Sequence, residues 1–407
     1  MRVLRNFDSL EKAILKKRIR KNKLAERVEK IVKAIQERGD DALIEYTKKF
    51  DKIKISTKEL RVSESEISAA FNELDSGLIS AFKYAIDNVT RFYKGQIPKS
   101  VRRFKDTNGK VLISRSLPLD RVGVYIPAGT APLVSTVYMA VIPALVAGVK
   151  EIVLVSPPRN DKTLNPFILA IASLLKIKEI YRIGGAQAIA ALAYGTKTIK
   201  RVDKIIGPGN EFVTEAKRQV FGQVDIDMLA GPSEVVILAS RGANIDYISA
   251  DLAAQIEHRN GMGIVITNSK KIIRELQKRK IEGFAMLVGI LEEACEVVNK
   301  IAPEHLEVFT KKPAKILRKI RNAGAIFLGE TTPTALGDYI AGPSHILPTG
   351  GSARFFSSLS VREFFKELHI ISYTKKALQD EAAVLEKIAS LEGMTKHIES
   401  VKKRLAS

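Results

Sequence analysis

Between Val111 and Leu328 the chain repeats one pattern: a short apolar run rich in β-branched residues, then a longer stretch with helical spacing. The runs are Val122 to Ile126, Ile152 to Val155, Ile180 to Ile183, Lys204 to Ile206, Val235 to Leu238, Ile264 to Thr267 and Ala325 to Leu328. Apolar strands separated by helices build parallel sheets covered on both faces, with ligand sites at the strand ends. Seven candidate strands over roughly 200 residues exceed what one small sheet usually holds. Two α/β units are therefore expected.

The flanks read differently. Val28, Ile31, Val32 and Ile35 form one helical stripe, broken at Gly39-Asp40, and Leu78, Phe82, Ala85, Ile86 and Val89 form another. From Ala377 onward the spacing is again helical. The long apolar stretch from Pro132 to Val149 holds Ser135, Thr136, Pro143 and Gly148, and Lys150-Glu151 follow at once. It reads as a buried helix leading into a strand and not as a membrane span. The single cysteine, Cys295, excludes a disulfide framework and a Cys-based zinc cluster. It sits in Leu291 to Ile301, a run with helical apolar spacing, and reads as a packed core thiol. Met1 to Ser9 is short and mixed, so no secretion signal is expected and the cytoplasm is the expected location.

A net charge of +21 raises the question of nucleic acid. The basic clusters, at Lys16 to Lys23, Lys99 to Lys105, Lys270 to Lys280 and Lys311 to Arg321, mostly carry aliphatics at helical spacing. That is the pattern of solvated faces of amphipathic helices. No zinc-finger spacing, RNP-type aromatic motif or Trp platform appears, so specific nucleic-acid recognition is not expected.

Five histidines invite separate reading. Asp251, Gln255 and His258 share one helical face, which suits two metal ligands with a supporting carboxylate, or a helix end with ordinary polar neighbours. Ala302-Pro303-Glu304-His305 places a carboxylate beside an imidazole in what reads as an irregular loop: a proton-transfer pair, or a helix-ending turn. Gly329 to Gly351, rich in Gly and Pro and carrying Asp338 and His345, reads as a long functional loop without helix or strand. Gly184-Gly185-Ala186-Gln187 and Gly207-Pro208-Gly209-Asn210 each follow a strand and open a helix, where backbone N–H groups suit an anion. Neither completes G-x-G-x-x-G. Ser233, in Ala230-Gly231-Pro232-Ser233-Glu234, is a ligand contact or a turn former.

Together these segments resemble the histidinol dehydrogenase family, from about residue 25 to the tail. The resemblance is carried, in the family's order, by R-V-G-V-Y-I-P, G-G-A-Q-A-I-A-A-L-A-Y-G-T, V-D-K-I-I-G-P-G-N, V-T-E-A-K-R-Q-V, A-G-P-S-E-V, Q-I-E-H, A-P-E-H-L and G-D-Y-I-A-G-P-S-H-I-L-P-T. It implies a zinc-dependent, NAD-dependent oxidation of L-histidinol to L-histidine through histidinaldehyde, the last two steps of histidine biosynthesis. The implied zinc ligands are Gln255, His258, Asp338 and His397, one zinc per subunit, and the implied catalytic pair is Glu304 and His305. Ser233, Glu392, His305 and the zinc ligands are implied as substrate contacts, and Tyr125, Gln187 and Asn210 as NAD contacts. His345 matches a further histidine near the substrate, and His369 has no assigned role.

The implied fold is α/β, with two related Rossmann-like, aldehyde-dehydrogenase-like domains, a helical N-terminal part and an extended C-terminal tail. The expected division is 1–24 as an N-terminal helical segment, 25–124 with 235–360 as a discontinuous first domain, 125–234 as the NAD-side domain, and 361–407 as the tail. In the family the tail reaches across a homodimer, so Glu392 and His397 are expected to complete the partner's site. Two departures stand out: Arg259-Asn260 follows His258 where the family commonly has a glycine, and Ala128 replaces a usual second glycine. The alternatives are a dehydrogenase of another amino alcohol or aldehyde on the same scaffold, or a basic RNA-binding protein that retains the fold.

Overall fold

The computed structural model describes residues 1–18, 22–128, 132–258 and 260–406. Two parallel sheets and one antiparallel sheet organise them. The first sheet has six strands in the spatial order Arg2–Leu4, Phe284–Leu287, Met262–Thr267, Glu234–Ala239, His305–Phe309 and Ala325–Leu328. The second has five, in the order Glu179–Arg182, Glu151–Ser156, Arg121–Tyr125, Lys204–Ile206 and Asp225–Ile226. All neighbours in both sheets are parallel. Leaving aside the N-terminal strand, each sheet runs third, second, first, fourth, fifth in chain order, so both repeat one nucleotide-binding topology. Every residue of the strands Arg121–Tyr125, Glu234–Ala239, Met262–Thr267 and His305–Phe309 is buried, as parallel strands covered on both faces require.

Helices cover both faces of each sheet. Phe7–Arg18 and Leu291–Ile301 pack on one face of the first, Ile245–Glu257 and Lys270–Lys278 on the other. The second is covered by Ser76–Lys94, Ser135–Ala147 and Pro166–Leu174 on one face, and by Asn22–Arg38, Gly185–Tyr194 and Glu211–Val220 on the other. The apolar stretch after Pro132 is thus the buried helix Ser135–Ala147, ended by Gly148 in the left-handed region at φ 89°. Among the described residues no helix is long and apolar enough to cross a membrane. Cys295 is buried in helix Leu291–Ile301, and burial raises its thiol. The basic helix Lys270–Lys278 buries Ile272, Ile273 and Leu276, and its lysines line the other side.

Four local readings differ from the structure. The N-terminus begins with a strand, because Arg2–Leu4 extends the first sheet beside Phe284–Leu287. His305 opens a strand and does not sit in an irregular loop, because Pro303 ends the preceding helix and His305 then pairs with Val235 and Ala325. Asp338 lies on a short helix, Thr334–Tyr339, within the segment read as loop throughout. His258 caps Ile245–Glu257 in an extended conformation, so it leaves the face it was read to share with Asp251 and Gln255. The packing also ties the helices between residues 22 and 94 to the second sheet, whereas the sequence grouped residues 25–124 with the first.

Between helix Ser76–Lys94 and the second sheet's first strand, Val101–Lys105 and Val111–Pro118 form an antiparallel pair, joined by Phe365–Ser372 from the far end of the chain. Helices Lys375–Leu391 and Thr395–Ala406 follow and pack on each other, burying only Ala377. Ile35, fully buried, anchors helix Asn22–Arg38 in the core that includes Val153 and Ile189 of the second sheet's layer. Ile35→Ala is expected to lower the unfolding free energy by about 2–5 kcal/mol in denaturant titration. A loss below about 0.5 kcal/mol, the range of surface substitutions, would show that this helix does not pack there.

Candidate active site

The carboxyl ends of the second sheet and the amino ends of the first line one cavity of ≈ 260 Å³. The second sheet contributes Leu133, Thr136 and the Gly207-Pro208-Gly209 loop, which leaves the strand at the topological switch between Arg121–Tyr125 and Lys204–Ile206. The first sheet contributes Ser233, Glu304 and His305 from the starts of two paired strands. His258, Asp338, His345 and Thr349 complete the wall.

Strand pairing brings Ser233 and Glu304 together. Ser233 Oγ donates to Glu304 Oε2 at 2.6 Å, and the Glu234 N–H donates to the same oxygen at 2.9 Å. Gln255 Nε2 donates to Ser233 Oγ at 2.7 Å. That bond uses the nitrogen end of the amide and leaves its carbonyl oxygen, the metal-binding end, outside it. Glu304 is therefore aimed by two fixed donors at a strand start, a rigid mount for a catalytic carboxylate.

His305 is buried, and neither ring nitrogen has a hydrogen-bond partner. Nδ1 lies 3.7 Å from Glu304 Oε2 and Nε2 lies 3.7 Å from Asp338 Oδ1, both beyond hydrogen-bond length. Burial opposes a charge on the ring, but Glu304, Asp338 and Glu307 outweigh it and lift the imidazole to about 9. The carboxylates thus keep the ring protonated at neutral pH, with two N–H groups unpartnered among the described residues. A cation held at Asp338 would offset part of that pull and free one nitrogen to accept a proton.

Asp338 feels the opposite balance: burial raises its carboxyl, yet His305 above all holds it below its ordinary value. Its backbone carbonyl lies 2.9 Å from His345 Nδ1, which must therefore donate, so His345 Nε2 accepts from the Thr136 hydroxyl at 3.1 Å. Burial lowers His345, which is thus a neutral, fully committed wall residue. His258 ends its helix in a tight turn closed by the Gly261 N–H on His258 O at 2.8 Å. Asn260 takes φ 62° there, a left-handed conformation that Asn tolerates, while Arg259 lies outside the described residues. Gly261 is needed, since a Cβ there would stand 2.0 Å from Gln255 O.

Of the four expected metal ligands, His258 and Asp338 line the cavity, and Gln255 stands behind its wall, bonded to Ser233. His397 and Glu392 are exposed on the tail helices, where they line a separate groove of ≈ 880 Å³ with Leu378, Val384, Ile388 and Met394. Among the described residues no group of three His, Cys, Asp or Glu side chains can hold a metal. A single chain thus supplies one amide, one imidazole and one carboxylate, a donor set fit for zinc but short of the usual four.

The expected dinucleotide contacts gather at the second sheet's carboxyl edge. Tyr125, the last residue of its strand, accepts the Gly185 N–H on its hydroxyl at 3.1 Å. Gln187, on the first turn of helix Gly185–Tyr194, is buried with neither amide nitrogen nor oxygen partnered. Asn210 is exposed and caps helix Glu211–Val220 through bonds from Phe212 N and Val213 N. Orphaned polar atoms at a switch-point crevice fit a bound dinucleotide. Ala128 packs partly buried against the neighbouring core.

Two supporting pairs escaped the sequence reading. Lys217 and Asp227 form a buried ion pair at 2.7 Å that grips both backbone groups of one glycine: Lys217 donates to Gly207 O, and the Gly207 N–H donates to Asp227 Oδ2 at 2.7 Å. Gly207 itself has φ 111°, and a Cβ on it would stand 2.1 Å from Tyr125 O. Behind His305, on the same strand face, the fully buried Glu307 meets Asp251. Burial first and Asp251 second push Glu307 up to about 8, and burial raises Asp251 too, so the pair holds a proton between them. Alternation along His305–Phe309 is the only sequence signal for Glu307; nothing local signals the Lys217–Asp227 pair.

Comparison with known proteins shows the family and the fold. The family model for histidinol dehydrogenase matches residues 15–405. The chain is 46% identical to the histidinol dehydrogenase of Synechococcus sp., over 93% of this chain and 92% of that one. It is 41% identical to that of Carboxydothermus hydrogenoformans over the whole of both. The crystal structure of histidinol dehydrogenase from Elizabethkingia anophelis superposes with a TM-score of 0.92 at 36% identity, covering 100% of this chain and 98% of that one.

The buried pair at Gly207 gives a stability test. Asp227→Asn strands the Lys217 ammonium and should lower the unfolding free energy by about 3–5 kcal/mol in urea, while Lys217→Met with Asp227→Leu should cost less than that single change. A loss under about 1 kcal/mol for Asp227→Asn, as for an exposed pair, would show that the pair is solvated.

Proposed function

The chain belongs to the histidinol dehydrogenase family and oxidises histidinol to histidine, and within that activity we propose an NAD-dependent, zinc-requiring, two-step reaction run by a homodimer in the cytoplasm. The observation that carries the reading is His305: a buried imidazole with both nitrogens idle, opening onto a cavity beside an aimed carboxylate. Zinc would be held by Gln255, His258 and Asp338 with His397. NAD would lie over Tyr125, Gln187 and Asn210, reaching the cavity past Gly207–Gly209. When bound, the nicotinamide supplies a hydride acceptor for each step, and zinc supplies an anchor for the substrate's imidazole and amine.

The protein's own residues then divide the proton work. His305 takes the hydroxyl proton as the alcohol carbon loses hydride, a contribution of about 10²–10⁴-fold for a positioned base. The aldehyde must next add water. Glu304, fixed by Ser233 and the Glu234 N–H, takes a proton from that water as its oxygen bonds to the carbonyl carbon. His305, having passed its first proton to solvent, then accepts the hydrate's remaining hydroxyl proton as the second hydride leaves. One alcohol and one water thus become one carboxylate, with two hydrides and three protons released. A covalent thiol route has no support, since Cys295 is buried in another core and its thiol is raised.

The tail carries the dimer reading. Val384, Ile388, Leu391 and Met394 are exposed around Glu392 and His397, the kind of apolar patch that a partner subunit covers. A second copy offering the cavity that lacks its fourth donor is the occupant we infer.

Two measurements test the chemistry. With L-histidinol, close to two NADH should form per substrate, and chelation should abolish this until zinc is restored. One NADH with aldehyde release, or full activity after thorough demetallation, would contradict the reading. Glu304→Gln should slow oxidation of histidinaldehyde more than that of histidinol, because only the second step consumes water, while His305→Asn should slow both. Equal damage by Glu304→Gln to both substrates would overturn the division of labour.

A further inference from the structure

Asp51 stands at the carboxyl side of the second sheet with no internal task for its charge. It ends helix Asp40–Phe50, its N–H donating to Thr47 O at 2.9 Å, and that helix packs against Gly185–Tyr194. Its side-chain Oδ2 is buried without a hydrogen-bond partner, and burial alone pushes the carboxyl up to about 6. The carboxylate also acts on the buried Tyr125 hydroxyl, which holds the Gly185 N–H. Gln187, 1% exposed, folds over Gly185: its Oε1 lies 2.7 Å from where a Cβ would stand. Both polar atoms of that amide lack partners. Around the Tyr125 hydroxyl, Asp51 Oδ2 and both ends of the Gln187 amide therefore remain polar atoms without a partner among the described residues. Such clusters are built for a polar ligand.

The cluster also has a definite place relative to the chemistry. The cavity holding His305 is lined on this side by Leu133, Thr136 and Gly207–Gly209, and by none of Asp51, Tyr125 or Gln187. The reacting end of a dinucleotide must enter that cavity, so these three residues meet the other end, the adenosine. A carboxylate only accepts hydrogen bonds, and the vicinal hydroxyls of the adenosine ribose are its matching donors. Nucleotide-binding units commonly draw this acid from the end of the second strand. Here that strand, Glu151–Ser156, runs into Ser156-Pro157-Pro158 with no carboxylate, and Ser156 Oγ is itself buried without a partner.

We propose that Asp51, delivered from the helical layer, replaces the missing strand-end acid: it accepts the hydroxyls of the adenosine ribose and, by repelling a 2′-phosphate, sets the preference for NAD over NADP. The inference rests on the dinucleotide reading above and names the residue that recognises its distal ribose.

Calorimetric titration of the zinc-loaded enzyme, without histidinol, tests this using NAD, NADP, AMP and 2′-deoxy-AMP against wild type, Asp51→Ala and Asp51→Asn. Wild type should bind NAD better than NADP and AMP better than 2′-deoxy-AMP. Asp51→Ala should weaken NAD and AMP about tenfold or more, the worth of a hydrogen bond to a charged group. It should weaken 2′-deoxy-AMP, which keeps only the 3′-hydroxyl, less than AMP, and so narrow the AMP preference. Asp51→Asn, isosteric and free of the buried charge, should keep the wild-type melting temperature and lose part of the preference, which preserves the test should the alanine variant melt early. Unchanged NAD binding in both variants, or equal weakening of AMP and 2′-deoxy-AMP, would overturn the role of Asp51 alone. Wild type binding neither NAD nor AMP would overturn the dinucleotide reading and this inference with it.

Discussion

Asp227 holds the join between the two sheets. Its carboxylate binds the Gly207 N–H with one oxygen and the Lys217 ammonium with the other, while Lys217 holds the Gly207 carbonyl. Six residues later the same chain segment reaches Ser233, which aims Glu304. One buried ion pair thus fixes the loop at the second sheet's carboxyl edge and the start of the segment that carries Ser233. A charge pair stripped of water tolerates little displacement, because losing either partner leaves an uncompensated buried charge. Thr214 and Thr349 tie down the same crossing segment at Ala230 and Gly231.

That join explains why the site uses opposite ends of two similar sheets. In the second, the switch point at the carboxyl edge is the usual place for a nucleotide. In the first, the residues with chemistry, Ser233, Glu304 and His305, stand at the amino edge. Facing these edges across one cavity would put the proposed hydride acceptor and His305 on separate rigid mounts. Proximity of this kind can supply several kcal/mol of barrier reduction. The Glu307–Asp251 pair behind His305 adds negative charge with a shared proton, and so supports the ring from the protein side.

The sequence disclosed most of the second sheet and the centre of the first, because strands buried on both faces are continuous apolar runs. Phe284–Leu287 escaped, being four residues without a β-branched side chain, and His305–Phe309 was masked by its His and Glu. Val101–Lys105 and Phe365–Ser372 are largely exposed, so burial imposes no alternation on them. Of the site, the residue types and their family positions were legible, and the structure gathers Ser233, Glu304, His305 and Asp338 around one cavity, with Gln255 bonded to Ser233. What stayed hidden depends on distant contacts: the Lys217–Asp227 pair, the Asp251–Glu307 pair and the place of Asp51. The packing of the N-terminal helices on the second sheet was hidden for the same reason, since an amphipathic stripe says that a helix is covered and not by what.

The central claim is that one chain holds an incomplete site, with His258 and Asp338 at the cavity, Gln255 bonded to Ser233 of its wall, and His397 on an exposed tail. Mixed dimers test it directly, once the His397→Ala and His305→Ala homodimers are each shown to be nearly inactive. If the tail serves the partner subunit, one site of the mixed dimer keeps both histidines and the other loses both, so activity should reappear after subunit exchange. If the tail serves its own chain, each site lacks one histidine. Continued inactivity after verified exchange would contradict the shared site.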